Sequence, residues 1–168
     1  MAKSLLRTDK EIADIYFRQV KTIYRVCFAY MKTIHDTEDA VHDTFMKMIT
    51  ASVAFESEEH EKAWLIRTAI NVCKNALKHW WCKIKNFDDY ANTEKRNMET
   101  DGVFDAVCAL PEKYKTVILL YYYEGYTSAE IAKMLHRPQS TITNYMSEAR
   151  KLLRKTLGGG FDGIPEKL

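Results

Sequence analysis

Three observations predict an all-α chain built as two small helical domains joined by a flexible linker. Apolar residues recur at spacings of three and four before Asn86 and again after Gly102. Between them, 86–102 (NFDDYANTEKRNMETDG) loses that period, carries five carboxylates against Lys95 and Arg96, and ends in a turn-prone Asp-Gly. Three prolines and six glycines in 168 residues, 46% of them hydrophobic, argue against a β-rich or disordered chain and suffice for packed cores. The expected division is 1–85 for the first domain, 86–102 for the linker, 103–157 for the second domain and 158–168 for a tail. As a flexible coil the linker would span about 20–25 Å on average and at most about 60 Å extended.

In the first domain, Thr8-Asp9-Lys10-Glu11 is a capping box, with the threonine hydroxyl and the glutamate carboxylate each satisfying a backbone amide of the other. From it Ile12, Tyr16, Val20, Ile23, Cys27, Tyr30 or Met31 and Ile34 trace a long amphipathic helix, broken at His35-Asp36-Thr37. A second helix from about Glu38 turns Ala40, Val41, Thr44, Phe45, Met48 and Ile49 inward and leaves Asp39, His42, Asp43 and Lys47 outside. Solvation alone accounts for those two aspartates, with some macrodipole benefit to Asp39. Residues 50–61 read as a loop or short helix with Phe55 as its large aromatic group. A third helix from about Lys62 buries Ala63, Ile66, Ile70, Cys73, Leu77 and one of Trp80 and Trp81.

The opposite stripe of that third helix holds Arg67, Asn71, Lys74, Asn75 and Lys78. Two amides flanked by three cations, without the glutamates that usually balance a solvated lysine face, can meet exposed bases while the cations hold phosphates. The stripe belongs to a wider asymmetry hidden by the net charge of +2. Residues 36–61 hold eight carboxylates against Lys47, whereas 64–85 hold five cations and no carboxylate. Such a chain can offer one face to a polyanion and another to a basic protein.

In the second domain, Val103, Phe104, Val107 and Leu110 form a short helix, and Pro111 suits the first turn of the next. Tyr114, Val117, Ile118 and Tyr121 face inward there, Gly125 marks its end, and the Tyr121-Tyr122-Tyr123 run is packing. Tyr126 to Lys155 then reads as two helices joined by a tight turn. A second capping box, Thr127 to Glu130, opens the first of them, with Ile131, Ala132 and Leu135 apolar. Pro138 in the turn His136-Arg137-Pro138-Gln139 stops one helix before the next begins, with Ser140 or Thr141 as its cap. Ile142, Tyr145 or Met146, Ala149 and Leu152 or Leu153 line its inner side. Ser140, Thr143, Asn144, Ser147, Lys151 and Arg154 line the other, small hydrogen-bonding groups first and cations later, as a helix in a DNA major groove requires. Gly158-Gly159-Gly160 ends helical structure.

Other chemistries find little support. There is no phosphate-cradling glycine loop, nucleophile elbow or metalloprotease His-Glu pair. Cys73, His79 and Cys82 match no common zinc spacing, so neither cofactor nor metal is expected. Without an apolar run long enough to span a bilayer or serve as a signal peptide, the chain is expected in the cytosol with no stable membrane insertion. There its four cysteines, Cys27, Cys73, Cys82 and Cys108, are packing residues.

Four motifs together carry a family resemblance: Asp39-Ala40-Val41-His42-Asp43-Thr44-Phe45, then Ala63-Trp64-Leu65-Ile66-Arg67 onward to Asn71 and Asn75, then Leu110-Pro111-Glu112-Lys113-Tyr114, then the helix-turn-helix. In order and spacing the chain resembles the extracytoplasmic-function sigma factors of bacterial RNA polymerase, over nearly all of 16–157. The resemblance implies a non-enzymatic factor that directs core polymerase to promoter DNA and captures a melted strand. It implies that the helix with Asp39, His42 and Asp43 docks on the polymerase clamp. It also sets Arg67, Asn71, Lys74, Asn75 and Lys78 at the minus-ten element, where a flipped base enters a pocket walled by 50–61. The second domain would read the minus-thirty-five element, and an anti-sigma factor is a further expected partner. His42 stands where the family commonly has glutamine, and Thr143 and Glu148 where several relatives have arginine. These departures shift base reading toward Ser140, Asn144, Ser147, Lys151 and Arg154. Two competing readings are a polymerase-independent DNA-binding regulator, resting on the helix-turn-helix alone, and a zinc hydrolase, resting on the Cys and His scatter.

Overall fold

The structure is a computed structural model describing residues 7–84 and 102–158, with the side chains of 80–84 excluded. The linker before Gly102, the tail beyond Gly158, Cys82 and the Trp80–Trp81 packing therefore lie outside the described residues. Regular structure among the described residues is entirely helical and falls in two units, Met1–Asn97 and Met98–Leu168.

The first unit packs three helices, α1 (Asp9–Met31), α2 (Ile34–Thr50) and α3 (Glu58–Ile84), each against the other two. The Thr8 box forms as expected: Thr8 Oγ1 accepts from the Glu11 amide at 3.2 Å and Glu11 Oε2 accepts from the Thr8 amide at 2.7 Å. The break between α1 and α2 falls earlier than His35. Lys32 takes the left-handed conformation (φ 66°) and Thr33 caps α2, its hydroxyl accepting from the Asp36 amide at 3.2 Å. Ile34 thereby opens α2 instead of closing α1. The third helix likewise begins before Lys62, at Glu58, because Ser57 Oγ accepts from the His60 amide at 3.0 Å and three glutamates in the first turn suit the positive end of the dipole.

Ile23, Val26, Cys27 and Phe28 of α1 meet Val41, Phe45 and Met48 of α2 and Leu65, Ile66, Ala69 and Cys73 of α3 in a core where each is buried. Full burial of an Ile, Leu or Phe side chain is worth about 1.5–3 kcal/mol. Several inward assignments change. Tyr16 stands 41% exposed at the rim, its ring 4.9 Å from Phe45, while Ile15 and Gln19 are the buried neighbours. Ala63 and Leu77 are half-buried, and Leu65, Ala69 and Val72 complete the inner face of α3.

The second unit contains α4 (Gly102–Cys108), α5 (Glu112–Ile118), a π-helical turn (Leu119–Tyr123), α6 (Ser128–Leu135) and α7 (Gln139–Leu157). Helix α7 packs on α4, α5 and α6, burying Ile142, Met146, Ala149 and Leu153 among Val107, Val117, Ile118, Leu120 and Ile131. Tyr114 and Tyr121 are half-buried, and Leu119 and Leu120 fill the core positions expected of Tyr121. The π turn, closed by the Glu124 amide on the Leu119 carbonyl at 3.1 Å, turns Tyr123 edge-on to Phe104 and leaves Tyr122 to accept from Arg150 Nε at 2.8 Å. The Thr127 box forms, and α6 ends on His136 in the left-handed conformation. Neither Ser140 nor Thr141 caps α7. Pro138 occupies that place with no side-chain hydrogen bond, and the helix starts at Gln139.

Candidate nucleic-acid interface

Four surfaces carry the predicted residues, three on the first unit and one on the second. On α3, Arg67, Asn71, Asn75 and Lys78 are exposed and Lys74 is half-buried, so the stripe lies along the side away from Leu65, Ile66 and Cys73. The helix holds no carboxylate between Arg67 and Ile84.

Residues 51–57 join α2 to α3 in an extended path with a period of two. Ala51, Val53 and Phe55 are partly shielded, whereas Ser52, Ala54 and Glu56 are exposed. Arg7 grips this segment: Nη1 donates to the carbonyls of Met48 (2.8 Å) and Ala51 (3.4 Å), and Nη2 to that of Val53. The same guanidinium sits 4.6 Å from the centre of the Phe55 ring. Phe55 also lies 5.7 Å from His60, edge-on, and 5.7 Å from Trp64. The far end of the segment is anchored by the Glu56 amide donating to His60 Nδ1 at 3.2 Å.

Behind that anchor, Glu61 is buried, not part of a solvated acidic face. Its carboxylate accepts from Arg18 Nη2 at 2.8 Å, Arg18 Nε at 3.2 Å and Gln19 Nε2 at 3.0 Å. The hydrogen bonds to Glu61 raise the Arg18 pKa further above its ordinary value. Arg7, Arg18, Gln19 and Glu61 were all missed as supports of the site. For Arg7 the available signal is an isolated arginine directly before a capping box.

On α2, Asp39, His42 and Asp43 are exposed on one face with Met46, and His35 Nε2 lies 3.6 Å from Asp39 Oδ2. On α7, Ser140, Thr143, Asn144, Ser147, Lys151 and Arg154 are all exposed. Two are engaged within the helix: Thr143 Oγ1 donates to the Gln139 carbonyl at 3.0 Å, and Lys151 Nζ to Glu148 at 3.1 Å. Gln139 Nε2 donates to Ser128 Oγ at 3.1 Å, joining the starts of α6 and α7. Among the described residues no group of three or more His, Cys, Asp or Glu could hold a metal, and no helix is long and apolar enough to cross a membrane.

A helix-turn-helix with a polar outer face, in a chain whose other helical unit bears an acid-free cationic stripe, is the make-up of a DNA-binding transcription factor. The Sigma-70 region 2 family model matches residues 15–82 and the Sigma-70, region 4 model matches 102–153. The chain belongs to the sigma-70 family, as an RNA polymerase sigma factor of the extracytoplasmic-function type. Among its relatives, the ECF RNA polymerase sigma factor SigW of Bacillus subtilis (strain 168) is 28% identical, with 88% of this chain and 87% of the relative covered. RNA polymerase sigma factor SigV of the same organism is 26% identical over 78% of this chain and 81% of its own. The fold is shared with the sigma factor RpoE of Bartonella quintana, crystallised with the anti-sigma factor NepR (TM-score 0.73, 18% identity, 92% of this chain and 99% of that one). It is shared too with CnrH in complex with the cytosolic domain of CnrY (TM-score 0.65, 17% identity, 91% of each).

Proposed function

We propose that this sigma factor holds promoter DNA at two places, with α3 and the 51–57 segment capturing the melted minus-ten strand and α7 reading the minus-thirty-five element. The observation that carries the reading is the exposed stripe of Arg67, Asn71, Asn75 and Lys78 on a helix whose sequence holds no carboxylate from Arg67 to Ile84. Amides at Asn71 and Asn75 can pair with base edges once the strands part, and the flanking cations neutralise phosphates. Ser140, Asn144, Ser147, Lys151 and Arg154 are the residues of α7 assigned to the upstream element, with Thr143 alongside them. Asp39, His42 and Asp43 form the docking face for a basic surface of core polymerase. The chain works by binding and strand capture, without covalent chemistry of its own, in the bacterial cytoplasm. Since two proteins of the same fold are bound to an anti-sigma factor or to a partner's cytosolic domain, a protein antagonist that competes with polymerase is part of the proposal.

Run-off transcription with bacterial core polymerase on a promoter library, followed by permanganate footprinting on a selected promoter, tests the reading. Asn71→Ala is expected to impair strand opening more than closed-complex binding. Equal loss in both assays would remove Asn71 from strand capture. Tight promoter binding by the chain without polymerase would favour an independent regulator instead.

A further inference from the structure

We infer that Arg7 is a positioning residue for promoter opening: its guanidinium holds the 51–57 segment in the shape that presents Ser52, Ala54 and Glu56 to the melted strand. The inference rests on the reading above that this segment walls the minus-ten pocket. Arg7 lies outside the residues matched by the region 2 model, which begin at 15.

Three features make the grip specific. The Met48 carbonyl belongs to the last turn of α2, where backbone acceptors lack helical partners and the dipole is negative, so a cation satisfies both needs at once. The Ala51 and Val53 carbonyls continue along the segment beyond the helix end, and one planar fork reaches both. The face of that fork then covers Phe55, whose other neighbours are His60 and Trp64 of α3. Arg7 thus ties the start of α1, the end of α2, the segment and, through Phe55, the first turns of α3. A lysine cannot replace it, since a single ammonium supplies neither the fork nor the stacking plane. The Thr8–Glu11 box fixes the backbone immediately after Arg7 and so aims the side chain.

With Ala51, Val53 and Phe55 held inward, the alternation leaves Ser52, Ala54 and Glu56 outward. Released, the segment would lose that register, and base reading would suffer while the helices and the acidic face of α2 stayed in place.

The test uses the full chain assembled with core polymerase, on a promoter selected by run-off from a library randomised at both elements. Arg7→Ala is expected to lower open-complex formation about tenfold and to flatten discrimination among minus-ten bases. Polymerase binding and minus-thirty-five footprints should stay unchanged. Arg7→Lys keeps a cation and the fold and should recover only part of the loss. Hydrogen exchange should quicken at amides 52–57 in Arg7→Ala, with α3 beyond Leu65 unchanged. Intact discrimination in Arg7→Ala overturns the inference, as does a uniform loss of polymerase binding and both footprints, which would mean a purely structural role. Ala54→Trp separates the two levels: if it leaves discrimination intact, the segment walls no pocket and both readings fall. If Ala54→Trp abolishes discrimination and Arg7→Ala does not, only the role of Arg7 falls.

Discussion

Arg18 on α1 and Glu61 on α3, 43 positions apart, meet in a two-pronged pair with Nη2 to Oε2 at 2.8 Å and Nε to Oε1 at 3.2 Å. The carboxylate is 5% exposed and the guanidinium 38%, so the pair closes the rim of the three-helix core with its acid inside. Removing the arginine would leave a buried carboxylate with Gln19 as its remaining hydrogen-bond donor. Partial exposure of Arg18 puts the loss below the range for fully buried pairs, at about 1–3 kcal/mol for Arg18→Ala. Urea unfolding of the first unit's tryptophan signal would measure it. Glu61→Gln, which removes the charge and keeps an acceptor, should cost less than Arg18→Ala.

Lys32 is one of two non-glycine residues with positive φ among the described residues. A side chain in the left-handed region costs about 1 kcal/mol, which glycine avoids. Lys32→Gly should therefore raise stability by roughly 0.5–1 kcal/mol despite the larger entropy of its unfolded chain. A thermal midpoint that falls would show that the lysine side chain contributes something its exposed position does not suggest.

Glu148 stands on the outer face of α7 with Lys151, 3.1 Å from it. Both are more than half exposed, so the pair adds little stability, but it partly neutralises a cation assigned above to the minus-thirty-five element. Glu148→Gln should tighten polymerase-dependent promoter binding by about two- to fivefold at low salt, with a steeper salt dependence. Unchanged affinity would place Lys151 away from the phosphates.

Acid should loosen the first turn of α1. The Thr8 amide and hydroxyl hold the Glu11 pKa below its ordinary 4.5. With a folded pKa below the unfolded one, the cap's contribution is complete above that ordinary value and is lost as pH falls through the depressed one. Protection of amides 9–12 from exchange, taken relative to their intrinsic rate at each pH, should fall as pH drops below that ordinary value, and Glu11→Gln should remove that pH dependence.

Features fixed by near neighbours were legible in the sequence. Both capping boxes join residues three apart, and Ile66, Ile70 and Cys73 of α3 and Ile142 and Ala149 of α7 are inward as helical spacing alone predicts. Boundaries without such a signal moved. Lys32 carries no glycine to announce a helix end, and the acidic run Glu58–Glu61 resembles a solvated loop although it suits a helix start. What could not be read was partnership at long range. Glu61 is buried because Arg18 and Gln19 arrive from another helix, and Arg7 finds carbonyls 41 to 46 positions away. Periodicity says which way a residue faces, and it is silent on which distant group will be waiting there.

The stripe on α3 also sets a length. Arg67 and Lys78 stand eleven residues apart on one uninterrupted helix, a rise of about 16 Å. Under the proposed strand capture, that rise bounds the reach of the stripe along the DNA, since a rigid rod cannot be stretched to cover more. In that proposed role the helix is a ruler, its span set by backbone geometry before any side chain chooses among bases.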